Sequence, residues 1–95
     1  MRESTIEKYL CKLIKEKKGL AMKLVSPGLA GVPDRIVLLP GGRLFFVELK
    51  APGKEPKPLQ KYTHRVLKEL GFKVFIISSK DEVKKFIDEV VGYGV

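Results

Sequence analysis

GVPDRIVLLPGGRLFFVELK, residues 31–50, is the stretch on which the fold turns. RIVLL and RLFFVEL are rich in branched and aromatic residues, which suit a pleated, half-buried surface. Pro40-Gly41-Gly42 between them supplies a hairpin turn. Two antiparallel strands at the centre of a sheet are expected. Along the second, Leu44, Phe46, Glu48 and Lys50 share one face while Phe45, Val47 and Leu49 share the other. Glu48 and Lys50 therefore project side by side, ~6.6–6.8 Å apart along the strand. Pairing about the glycine turn sets Asp34 opposite Glu48 or Leu49, and a single bulge decides between them.

Before this hairpin, STIEKYLCKLIKEKKG carries Ile6, Leu10, Leu13 and Ile14 at helical spacing, with Ser4 as candidate N-cap and Gly19 as the stop. Ser4 to Glu7 also reads as a capping box. AMKLVS suits a short strand, and PGLAGVP a loop. Beyond the hairpin, three prolines in APGKEPKP forbid a strand and lead into the helix PLQKYTHRVLKELG. FKVFIIS is a further strand, and SKDEVKKFIDEVV a helix with Ser79 and Glu82 as a capping box and Val83, Phe86, Ile87 and Val90 inward. The order αβββαβα describes an α/β chain with a mixed sheet flanked by helices, because a parallel neighbour requires a crossover.

Ninety-five residues, 44% hydrophobic and 32% charged, are read as one globular domain over residues 1–95. There is no internal repeat and no dividing linker. Nineteen lysines and arginines against 11 acidic residues leave a formal charge of +8, a field that attracts polyanions and makes nucleic acid the leading partner. Cys11 is the sole cysteine, which excludes an intrachain disulfide and a cysteine-cluster zinc site; its helical neighbours assign it to packing. No apolar run reaches membrane-spanning length. The expected location is intracellular, in the cytoplasm of a cell or of the host of a virus.

Asp34, Glu48 and Lys50 thus converge at one end of two neighbouring strands. Paired carboxylates repel, and a divalent cation with oxygen ligands relieves that repulsion. Such an ion binds phosphate oxygens and polarises water, while a nearby ammonium stabilises developing negative charge. Those are the requirements of phosphodiester hydrolysis. The carbonyl of Leu49 offers a further hard oxygen, for which strand pairing competes.

At these residues the chain resembles the PD-(D/E)XK nuclease superfamily: Pro33-Asp34 matches the PD and Glu48-Leu49-Lys50 the E-X-K. A wider pattern is similar to the virus-type replication-repair nuclease (VRR-NUC) family, whose fold is restriction-endonuclease-like. It comprises Glu3-Ser4 with Ile6-Glu7, Ser26-Pro27-Gly28, Gly31-Val32-Pro33-Asp34-Arg35, Glu48-Leu49-Lys50 and Leu59-Gln60, spanning residues 3 to about 78. The resemblance implies an Mg2+- or Mn2+-dependent endonuclease in which Asp34 and Glu48 hold the metal and Lys50 assists the attacking water. By the same likeness Gln60 and an acidic residue of the first helix, Glu3 or Glu7 with a slight preference for Glu7, complete the site. Stand-alone members resemble Holliday-junction resolvases that act as homodimers on four-way DNA junctions, whereas fused members act on flaps; the stand-alone reading is preferred here. The tail VVGYGV or an exposed strand edge is the candidate interface.

The expected DNA contacts are Ser26 and Arg35 of those motifs together with Lys54, Lys57, Lys61 and Arg65, which cluster near Lys50 and would bind phosphates without selecting sequence. Tyr62 suits base stacking or burial. His64 is assigned to the surface or to packing. Two other readings remain: a non-catalytic nucleic-acid-binding module whose carboxylates are structural, and a nuclease subunit that needs a partner protein.

Overall fold

The computed structural model describes residues 2–91. Its elements are α1 (Glu3–Glu16), β1 (Leu20–Lys23), β2 (Arg35–Leu39), β3 (Arg43–Leu49), α2 (Pro58–Glu69), β4 (Val74–Ile77) and α3 (Lys80–Val91), in the expected αβββαβα order. Residues 92–95, most of the tail offered above as an interface, lie outside the described residues. No described helix is long and apolar enough to cross a membrane.

The sheet order is β1-β2-β3-β4, so the two hairpin strands are central. β1, β2 and β3 pair antiparallel. β4 lies parallel to β3, and α2 provides the crossover that a parallel neighbour needs. The hairpin register pairs Arg35 with Val47 and Leu39 with Arg43, so its continuation sets Asp34 against Glu48.

Alternation along the strands sorts their side chains into two layers. Val37, Leu39, Phe45, Val47, Leu49 and Ile77 face one way and form the core with α1 and α3. The helices contribute Ile6, Leu10 and Ile14 from α1 and Val83, Phe86, Ile87 and Val90 from α3. Phe45, Phe75 and Phe86 meet edge to face, with centroids 4.7–6.2 Å apart, the arrangement that ring quadrupoles favour. On the opposite face α2, with its Thr63 and His64 buried, packs over Glu48, while Phe46 meets Phe72 edge to face at 5.6 Å.

Three local expectations are corrected. α1 begins at Glu3, with Arg2 rather than Ser4 as its N-cap and no side-chain cap; extended Arg2 already offers its carbonyl to the N–H groups of Thr5 and Ile6. The left-handed residue that ends α1 is Lys18, φ 66°, not Gly19. Gly19 donates to Ile14 O, and it is glycine because a Cβ there would lie 2.6 Å from Leu38 O of β2. At α3, Ser79 Oγ accepts from Glu82 N as a capping box requires, but the Glu82 carboxylate turns to the N–H and hydroxyl of Ser78.

Candidate active site

The β1–β2 loop is held down on α2 immediately upstream of Asp34. Thr63 Oγ1 donates to Ala30 O at 2.7 Å. Gly31 adopts φ +81° where a Cβ would fall 2.6 Å from Leu59 O, so neither the conformation nor the space admits a side chain. This docking delivers Asp34 to the end of β3, where its Oδ2 accepts the Leu49 N–H at 2.8 Å.

Glu48 lies at the centre. It is 1% exposed, on the sheet face covered by α2. Its Oε2 meets Lys50 Nζ at 3.1 Å and accepts from Gln60 Nε2 at 3.0 Å. The Gln60 amide is oriented from both ends, because its Oε1 accepts the Lys57 N–H at 2.8 Å. Gln60 is the third residue of α2, so this is half of a capping box, the half available when the N-cap is a lysine with no acceptor to return. The carbonyl taken by the helix start leaves the NH2 group facing Glu48.

Burial first, and then the negative charge of Asp34, push the Glu48 carboxyl above the ordinary carboxylate range; the Lys50 contact opposes this and Glu3 adds to it. A buried carboxylate in that state is expensive to ionise unless positive charge joins it. Oε1 of Glu48 is buried and has no hydrogen-bond partner. An orphaned hard oxygen beside a second carboxylate fits a divalent cation. Among the described residues no three His, Cys, Asp or Glu side chains gather around one point. The protein donors on offer are thus Asp34, Glu48 and the Leu49 carbonyl, with water completing the shell as Mg2+ commonly allows.

Of the two α1 carboxylates, Glu7 is engaged by Arg35, whose Nε and Nη2 stand 3.3 and 3.1 Å from Glu7 Oε2. Glu3 is the one whose charge is felt at Glu48. Arg35 also donates to Ala21 O at 3.0 Å. Neighbours in an extended chain point to opposite faces, so Asp34 joins the α2 side while Arg35 turns toward α1 and ties it to β1. Arg35 is thereby committed to Glu7 and to the Ala21 carbonyl, with 16% of its side chain exposed. Ser26 is half-buried, with its carbonyl taken by Leu29 N.

Lys54, Lys57, Lys61 and Arg65 are exposed. Lys61 stands 3.8 Å from Glu55, an open pair of small energetic consequence. Arg65 lies over the exposed Tyr62 ring at 5.8 Å. With Lys68 and Ile76, Lys61 and Arg65 line a groove of about 290 Å³ that reaches His64.

His64 is the residue whose position the sequence reading missed. It is 3% exposed, and its Nε2 lies 3.7 Å from Glu48 Oε1. Burial, then the charges of Lys68 and Lys50, push its pKa down, with Asp34 opposing; the ring is neutral at neutral pH and the contact is not an ion pair. The available signal was spacing, since His64 falls one turn after Gln60 on the same helix face.

A comparison with protein-family models finds no match. The chain is 48% identical over 81 residues to the protein described as "Putative nuclease p44" of Acyrthosiphon pisum secondary endosymbiont phage 1, a match covering 85% of this chain and 87% of that protein. A solved structure described as a VRR_NUC domain is similar with a TM-score of 0.85 and 34% identity, over 90% of this chain and 94% of its own.

Proposed function

The chain belongs to the VRR-NUC family of PD-(D/E)XK nucleases, and from that premise we propose that it is a metal-dependent endodeoxyribonuclease acting on branched DNA as a homodimer. The observation that carries the reading is Glu48: a buried carboxylate fixed on Oε2 by Lys50 and Gln60, orphaned on Oε1, and driven toward protonation first by its burial and then by Asp34.

Asp34 and Glu48 would hold Mg2+ or Mn2+ with the Leu49 carbonyl; of the α1 carboxylates, Glu7 is engaged by Arg35 and Glu3 adds its negative charge at Glu48. Bound there, the ion supplies Lewis acidity toward a phosphoryl oxygen and lowers the pKa of water. The remaining work belongs to the chain. Lys50 Nζ, held at Glu48, orients the attacking water and meets negative charge developing on the phosphate. Gln60 keeps the Glu48 carboxylate in one rotamer. Lys54, Lys57, Lys61 and Arg65 grip flanking phosphates and position the substrate without reading bases.

One chain carries one such site. Symmetric cleavage of a four-way junction needs two sites related by a two-fold axis, which an isologous dimer provides. DNA as substrate sets its work inside cells, in the cytoplasm of a bacterium or of a virus-infected host.

The test is incubation with labelled four-way junction, flap and linear duplex, with and without Mn2+, for the wild type and for Asp34→Ala and Glu48→Ala. Both variants should bind DNA and cut none of it, and sedimentation should report a dimer. Cleavage surviving in both refutes the site. Binding that falls steeply with salt, without cleavage under any divalent cation, would identify a binding module instead. Activity appearing only on addition of a second protein would identify a dependent subunit.

A further inference from the structure

Two buried polar atoms in this site lack hydrogen-bond partners, Glu48 Oε1 and His64 Nε2, and they face each other across 3.7 Å. That exceeds the roughly 2.7–3.2 Å of an N–H···O bond. Each atom as placed bears the desolvation cost of burial with nothing in return, so the pair calls for an explanation.

We propose that His64 is a positioning residue that holds the Glu48 carboxylate for the divalent cation, closing on Oε1 as Gln60 already closes on Oε2. This rests on the function proposed above. Gln60 and His64 are one turn apart on α2 and meet the two oxygens of the same carboxylate. The intervening turn is anchored, because Thr63 is bonded to Ala30 O, so the ring needs to advance by less than about 1 Å to reach hydrogen-bond range. Lys50 and Gln60 both address Oε2. Oε1 is then the oxygen left for a cation, and a donor on its α2 side restrains it. A carboxylate ligand restrained from its outer side holds metal more tightly, and loss of such a partner typically costs 10–100-fold in affinity or activity. A histidine serving only to fill space would make no such contribution.

The experiment is isothermal titration of the full chain with Mn2+, without DNA, for the wild type, Glu48→Ala, His64→Leu, His64→Gln and His64→Asn, with a thermal melt of each. His64→Leu should melt cooperatively and bind Mn2+ about 10-fold or more weakly. His64→Gln, whose amide nitrogen reaches about as far as Nε2, should regain most of that loss. Equal affinity in the wild type and His64→Leu overturns the proposal, as does a His64→Gln variant no better than His64→Leu. If leucine disturbs the fold, the comparison of Gln with Asn decides, since the shorter amide of Asn falls short of Oε1 and must bind more weakly. A wild type that binds no Mn2+ overturns the functional reading itself. A wild type that binds, with Glu48→Ala abolishing it and all three His64 variants unchanged, overturns only the role of His64.

Discussion

Replacing Glu48 by glutamine should make the metal-free protein more stable while removing its activity. The substitution keeps volume, and the amide oxygen can still accept from Lys50 and Gln60, which lie 3.1 and 3.0 Å from Oε2. Its NH2 takes the place of Oε1 opposite His64 Nε2, and a neutral imidazole can offer that nitrogen as an acceptor. A net hydrogen bond contributes about 1 kcal/mol. Removing a buried charge that stands beside Asp34 acts in the same direction, because burial and the Asp34 charge both disfavour the ionised form in the fold. Weakening the Lys50 contact opposes this, but that contact already acts on Glu48 and its carboxyl is nonetheless pushed upward. The net gain is on the order of 1 kcal/mol, and in a chain of this size each kcal/mol raises Tm by roughly 4–8 °C.

The gain should depend on pH with a definite sign. Burial and Asp34 raise the folded-state pKa of Glu48 above its ordinary 4.5. Below that ordinary value both states carry the proton and the wild type has no penalty. As pH climbs from there through the raised folded-state pKa, the unfolded chain ionises freely while the folded one resists, so wild-type stability is lost. The difference between Glu48→Gln and wild type should therefore be small in acid and grow to a plateau at neutral pH. Saturating Mn2+ should reverse the order, because the wild type gains about 2.7 kcal/mol at 100 times Kd and the variant gains little. Calorimetric melts in chelator and in Mn2+, across pH 4 to 8 as roughly the informative window, measure all of this. A variant less stable than wild type in chelator, or a difference independent of pH, would refute the account of Glu48 as a strained, ligand-seeking carboxylate.

Arg35→Leu should lower stability by about 2 kcal/mol, since it cuts charge-assisted bonds to Glu7 and Ala21 O, and should leave the salt dependence of DNA binding unchanged; a reduced salt slope would make Arg35 a phosphate contact after all. Lys61→Gln and Arg65→Gln should each reduce that slope by about 0.9 and leave Tm near the wild-type value, as measured by fluorescence anisotropy at several salt concentrations. Gly31→Ala should cost about 2 kcal/mol or more in chemical denaturation, because φ +81° is unfavourable for alanine and Leu59 O, 2.6 Å from the new Cβ, is backbone. Cleavage should fall with it as the loop carrying Asp34 leaves α2; a variant as stable as wild type would show the loop to be loosely held.

Much of the fold was legible because it follows from short-range rules. The glycine turn after RIVLL fixes a hairpin, and alternation in RLFFVELK puts Glu48 and Lys50 on one face whatever surrounds them. Helical periodicity marked Ile6, Leu10 and Ile14 and the α3 residues Val83, Phe86, Ile87 and Val90, all of which are buried. The ends of elements were less legible. Helix capping is a contest among nearby donors and acceptors, and at α1 backbone geometry at Arg2 and Lys18 won over the side chains of Ser4 and Glu7.

What the sequence alone determined was the linear motif, Asp34 then Glu48 and Lys50, and its placement at the ends of two paired strands, because strand period and turn position depend only on neighbours in the chain. Only the tertiary structure decided which charges belong together. Asp34 and Arg35 are adjacent in sequence but project to opposite sides of the sheet, one joining Glu48 and the other Glu7. His64 lies sixteen positions from Glu48, and their contact exists only because α2 crosses back over that face to reach β4. Burial, which gives the Glu48 carboxylate its character, is a property of the packed layers and has no counterpart in any local stretch of chain.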